Sequence, residues 1–145
     1  MNKHQLNYIT NLIVRLEQAQ CADQVLDEEI DRILYPDIWL IRDSYAPEPD
    51  ANIIWNYNIP RYTGSADAAL MLVPEDWRVH ILSEWDNQTL RNRGAWQCIL
   101  GRAGEGDNFG GKFRCDHAST PAIAICIAAI KVITHQHTIG VDICN

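Results

Sequence analysis

The spacing of apolar residues changes period twice along this chain, and that change limits the folds open to it more than any other feature. From Leu6 to Leu16 the apolar residues Leu6, Ile9, Leu12, Ile13 and Leu16 recur every three or four positions, which predicts an amphipathic helix from about Lys3 to Gln20. A second stripe, Val25, Leu26, Ile30, Ile33 and Leu34, runs over acidic Asp27, Glu28, Glu29 and Asp31, with Asp23 placed to cap it and Pro36 to end it. Over Trp77 to Trp85 the period becomes two. Trp77, Val79, Ile81, Ser83 and Trp85 face one way, and Arg78, His80, Leu82 and Glu84 the other, as in a strand with one apolar face.

Turn chemistry at Asp86-Asn87 and Asn92-Arg93-Gly94 precedes a second strand, Ala95 to Arg102, with Trp96, Cys98 and Leu100 on one side. The glycine run Gly101 to Gly111 reads as a hairpin connection to a third strand over Lys112 to Cys115. Ser119-Thr120-Pro121 supplies a cap and a first-turn proline for a final apolar helix to about His135, in which Ala122, Ala124, Ala128 and Ala129 allow close approach to a sheet. Between these parts, Tyr62-Thr63-Gly64-Ser65 caps a short helix over 66–73 that Pro74 stops. Residues 43–52, with Pro47 and Pro49, read as an exposed loop, 53–57 as a possible extra strand or arm, and the residues from about 136 as a short tail. The expectation is one α+β domain over residues 1–145, helices packed on a three-stranded antiparallel meander in an α/β/α sandwich-like arrangement.

Composition narrows function by exclusion. At 145 residues, 47% apolar and 21% charged, the chain can close a core of its own. Five scattered cysteines without C-x-x-C spacing suit a reducing compartment, and no stretch is apolar enough for a signal peptide or a membrane span. A net charge of −7 argues against general nucleic-acid binding. The basic residues gather in the middle: residues 1–50 hold ten carboxylates against four Lys/Arg, and residues 51–114 hold seven of each.

The stretch Tyr62-Thr63-Gly64-Ser65-Ala66-Asp67-Ala68-Ala69-Leu70-Met71-Leu72-Val73-Pro74-Glu75-Asp76-Trp77, the strand around Trp96, and Ala118-Ser119-Thr120-Pro121 before an apolar helix resemble the phage ABA-sandwich domain family. So does the acidic helix with Leu26-Asp27-Glu28-Glu29-Ile30. The resemblance implies a sandwich of helices and sheet in the cytoplasm of an infected bacterial host, with no family-wide activity attached. Phage genomes also encode small proteins that neutralise host defences, some of them oligomeric sponges for nucleotide-derived signals, and the functional expectation for this chain is taken from that class.

Two turns offer chemistry for an anion. Arg114 lies just before Ser119 and Thr120 at a helix start, whose free N–H groups and partial positive charge suit a phosphate. Arg61 and Tyr62 precede another helix start, with an arginine to fork onto a phosphate and a ring to stack on a base. Arg91 and Arg93 complete the basic set. Against each stands plain capping by Ser65, Ser119 or Thr120, and Tyr62 as an ordinary packing contact. No metal, cofactor or catalytic motif is recognised: the glycine run lacks Gly-Lys-Ser/Thr, and His135-Gln136-His137 has no set of accompanying ligands. The leading expectation is therefore a non-catalytic protein that sequesters a small nucleotide ligand, a cyclic oligonucleotide or cyclic ADP-ribose type, as a homo-oligomer. The alternatives are an adaptor acting through the acidic face of Asp27, Glu28 and Asp31, and a phosphodiesterase of the same signals.

Overall fold

The computed structural model describes residues 2–45, 58–84, 95–102 and 112–143, apart from the side chains of residues 45 and 137–143. The chain is α+β. Helices α1 (Lys3–Gln18), α2 (Gln24–Leu34), α3 (Pro36–Tyr45) and α4 (Ala66–Leu70) precede strands β1 (Trp77–Glu84), β2 (Trp96–Arg102) and β3 (Phe113–Ala118), and α5 (Pro121–Ile143) closes the order. The strands form an antiparallel sheet in the order β1-β2-β3, the expected meander.

Each N-terminal helix begins where a side chain can satisfy its free N–H groups. Asn2 and Gln5 make reciprocal side-chain-to-backbone bonds of 2.9 Å at the head of α1, a capping box. Asp23 accepts from the Val25 and Leu26 N–H groups at the head of α2. The α1 stripe is buried at Ile9, Leu12 and Leu16, as its period requires, and α2 buries Leu26 and Ile30 while Val25 faces solvent.

Pro36 does something other than end the helical region. It stops α2 after Leu34 and occupies the first position of α3, where its missing N–H has no intrahelical partner to lose. Helix α3 thus takes in Asp43 to Tyr45, which had read as the start of the proline loop; the rest of that loop and the arm at 53–57 lie outside the described residues. Helix α4 ends at Leu70, three residues short of the expected stop, and a turn leads on to Pro74. Helix α5 runs on past His135 to Ile143.

Helix α5 is the centre of the molecule. Residues 122–130 are all buried, on every side of the helix, which only a helix apolar around its whole circumference can tolerate. It packs on β3 and β2 along one side and against α4 and α1 elsewhere, and its alanines admit those neighbours closely. The sheet gives this core Trp96, Cys98 and Leu100 from β2 and Phe113, Cys115 and Ala118 from β3.

The alternation expected of β1 holds only at its start. A bulge between Val79 and Ile81 makes His80 an extra residue, so Val79 pairs with Leu100 but Ile81 with Ile99. Beyond it the phase has slipped. Ile81 is 43% exposed and Leu82, now opposite core-facing Cys98, is 37% exposed at the strand edge. The His80 ring lies over Gly101, where a Cβ would stand 2.2 Å from His80 Cε1, so this strand position accepts only glycine while the ring stays in place.

Candidate functional site

The motif Tyr62-Thr63-Gly64-Ser65 meets α2 at two carboxylates one turn apart, Asp27 (4% exposed) and Asp31 (0%). The Thr63 N–H and hydroxyl both donate to Asp27 Oδ1, each at 2.7 Å. Tyr62 donates its hydroxyl to Asp31 Oδ1 at 2.7 Å, and the Trp39 indole Nε1 donates to Asp31 Oδ2 at 2.8 Å. Thr63 Oγ1 also accepts from the Asp23 N–H, Ser65 caps α4 through the Ala68 N–H, and the Cys126 thiol donates to the Tyr62 carbonyl. A buried carboxylate is tolerable only when it is hydrogen-bonded; Asp31 is held at both oxygens and Asp27 twice at Oδ1. The motif is a bolt joining the 61–65 turn, α2, α3 and α5. Tyr62 is 1% exposed, so no base stacks on its ring in this conformation, and Asp27 and Asp31 are not on a surface that a partner could read.

The second turn is likewise engaged. Thr120 caps α5 by accepting from the Ile123 N–H at 3.2 Å, and Ser119 donates to the Ala19 carbonyl at 2.7 Å. Arg114 is exposed on the face of β3 turned away from α5 and pairs with Asp116 at 3.3 Å. Ser119 stands five positions further along the chain, roughly 15 Å away, so one small anion does not reach both. The structure does bring the two turns to one connector: Ser119 binds Ala19, while Gly64 packs against Ala22 and Thr63 binds Asp23. Arg61 is exposed beside that connector. Arg91 and Arg93 lie outside the described residues.

Among the described residues, a recess that can receive a ligand is formed elsewhere, by the start of α1, the last turns of α2 and the first residue of α3. It encloses about 500 Å³ and is lined by Asn2, His4, Gln5, Tyr8, Ile9, Arg32, Ile33 and Pro36. That volume lies within the range usual for small-molecule sites, roughly 300–1,000 Å³. Ile9, Ile33 and Pro36 supply an apolar floor, Tyr8 a ring, and His4, Gln5 and Arg32 polar groups. Burial, the neighbouring Glu29 carboxylate and the hydrogen bond to it push the Tyr8 phenol up from its ordinary 10.0, so it stays protonated.

Arg32 is the charged wall of the groove. Its guanidinium lies 4.3 Å from the centre of the Trp39 ring, pairs with Asp43 at 2.9 Å and reaches Glu28 at 3.3 Å. Arg42 approaches the same ring at 4.9 Å and Glu28 at 3.6 Å. Asp43 is solvent-exposed, and Arg32 holds its carboxyl below the ordinary range. An incoming phosphate can present two oxygens to the planar guanidinium fork, as Asp43 now does, and is suited to take its place there.

Sequence reading passed over this groove because its lining comes from three helices and no local motif marks it. Tyr8 and Arg32 stand between the apolar positions of two amphipathic helices, where nothing local in the sequence distinguishes them. Among the described residues no cluster of His, Cys, Asp and Glu is arranged to hold a metal ion, and no helix is long and apolar enough to cross a membrane. Comparison with protein-family models, curated proteins and solved structures finds no match.

Proposed function

We propose that this chain binds a small anionic ligand carrying a planar ring, of nucleotide type, in the α1–α2–α3 groove and holds it without cleaving it. The observation that carries this reading is the groove itself: an apolar floor, a tyrosine, and an arginine held by Glu28 and by the exposed, exchangeable carboxylate of Asp43. Apolar surface for a ring and a forked donor for a phosphate are the two contacts a nucleotide asks for. The biological role proposed with it, from the resemblance to phage proteins, is sequestration of a nucleotide-derived defence signal by a homo-oligomer.

A thermal-shift panel of cyclic di- and trinucleotides, cyclic ADP-ribose isomers and linear controls tests the reading, with chromatography of the ligand released on denaturation. Ligand at a hundredfold its Kd adds about 2.7 kcal/mol, a shift of several degrees for a domain of this size. Ligand recovered intact supports sequestration, cleaved ligand supports the phosphodiesterase, and no shift across the panel removes the nucleotide reading.

One observation favours a protein partner instead. Helix α3 leaves Ile38, Leu40 and Ile41 exposed, Leu40 at 68%, and is held to the body by Trp39 and the Arg32 and Arg42 ion pairs. Such an adaptor works through this apolar face, because two of the three acidic residues first assigned to it, Asp27 and Asp31, are inside and the third, Glu28, is paired with Arg32 and Arg42.

A further inference from the structure

Cys98 on β2 and Cys115 on β3 are direct cross-strand partners, and both side chains enter the core, at 0% and 2% exposure. Directly opposed residues of an antiparallel pair have Cα atoms roughly 4.5 or 5.5 Å apart, according to whether the pair is hydrogen-bonded. Both separations fall inside the window of about 4.4–6.8 Å that a disulfide spans. Register therefore sets the pair within the backbone span of a cross-link, with the ladder's irregularity lying between Cys98 and Trp96. The other core thiol is less available: Cys126 Sγ donates to the Tyr62 carbonyl at 3.2 Å, which directs it toward the 61–65 turn.

We propose that Cys98 and Cys115 are a latent cross-strand disulfide, a redox-sensitive bolt between β2 and β3. Both thiols are free in the described state. Closing the bond breaks two S–H bonds and forms one S–S bond. The two hydrogens and two electrons pass to an oxidant of the diazene class, such as diamide, whose N=N bond is reduced to the hydrazine. Burial keeps both thiols protonated, so the native pair reacts slowly and only as the β2–β3 region opens locally. The bolt is thus silent under brief stress and closes under sustained oxidation. This inference does not depend on the proposed ligand.

The test is diamide oxidation of the full chain carrying Cys21→Ser and Cys144→Ser, which removes the exposed Cys21 and the C-terminal thiol, followed by alkylation in denaturant and non-reducing peptide mapping. The expected product is a monomer lighter by two hydrogens, with the peptides containing Cys98 and Cys115 linked. By the loop-closure relation its midpoint of thermal unfolding should rise by roughly 10 °C, and reduction should reverse the rise. A link to Cys126 instead, or Cys98 and Cys115 both alkylated after prolonged oxidation, overturns the proposal. The Cys115→Ala variant in the same background is the control: a compact product lighter by two hydrogens there also counts against it.

Discussion

Replacing Tyr62 with phenylalanine separates the ring of this residue from its hydroxyl, and so separates the structural account of the Tyr-Thr-x-Ser motif from a ligand-stacking one. The ring is 1% exposed and its hydroxyl donates at 2.7 Å to Asp31, which has no exposure at all. Tyr62→Phe leaves the packing and deletes one hydrogen bond to a buried carboxylate, a contact worth about 1.5–3 kcal/mol. The expected loss is about 2 kcal/mol, a fall in Tm of roughly 6 °C. Urea unfolding followed by circular dichroism and tryptophan fluorescence measures it: the midpoint should fall and the slope stay unchanged. In a double-mutant cycle with Asp31→Asn, the two losses should fall short of adding, because one bond is counted in both. Ligand affinity should be unaffected. A loss under about 0.5 kcal/mol, set against the usual value for such bonds, would mean that Tyr62 does not hold Asp31 and that the motif has another purpose.

Further outcomes follow from other contacts. Gly101→Ala should turn the exposed His80 ring aside at a cost under about 1 kcal/mol, and His80→Ala in the same chain should abolish that cost; equal losses in both backgrounds refute the contact. Thr120→Ala should cost about 1 kcal/mol in thermal unfolding through the lost cap of α5, and Thr120→Ser should restore most of it. Burial pushes the Cys98 and Cys115 thiols up from 9.0 to about 12 and about 11, while burial drives Cys126 in the same direction. Between these values and the ordinary one the unfolded chain has released protons that the folded chain retains. Stability is therefore full below about pH 9 and falls as pH rises toward 12, which urea midpoints across that range should show. Over the same range a disulfide reagent should label exposed Cys21 well before the three buried thiols.

Local rules made the elements legible: the three-and-four spacing of Ile9, Leu12 and Leu16, the alternation of Trp96, Cys98 and Leu100, and the caps at Asp23, Ser65 and Thr120 all act within a few residues. Pro36 was ambiguous because proline both stops one helix and starts another, and only tertiary contacts such as the Trp39–Asp31 bond decide that the chain resumes as helix. The exposure of Ile81 and Leu82 was hidden because one bulged residue, His80, shifts the phase of everything after it. The burial of Asp27 and Asp31 could not be read at all. An acidic run ordinarily marks a solvated face, and the groups that neutralise this one arrive from Tyr62 and Thr63, more than thirty residues away. The groove was invisible for the same reason, with its wall at Arg32 and its rim at His4 assembled only by folding.

The measurement that bears most directly on the groove as the ligand site is a titration of the nucleotide selected by the thermal panel against the parent chain, Asp43→Asn, Tyr8→Ala and the Arg61→Gln/Arg114→Gln double variant. Freeing Arg32 from its exposed carboxylate should tighten binding several-fold in Asp43→Asn, at about 1.4 kcal/mol for each factor of ten. Tyr8→Ala should weaken binding, and the double variant should match the parent. Unchanged affinity in Asp43→Asn and Tyr8→Ala, together with loss in the double variant, would contradict the account and return the site to the turns before α4 and α5.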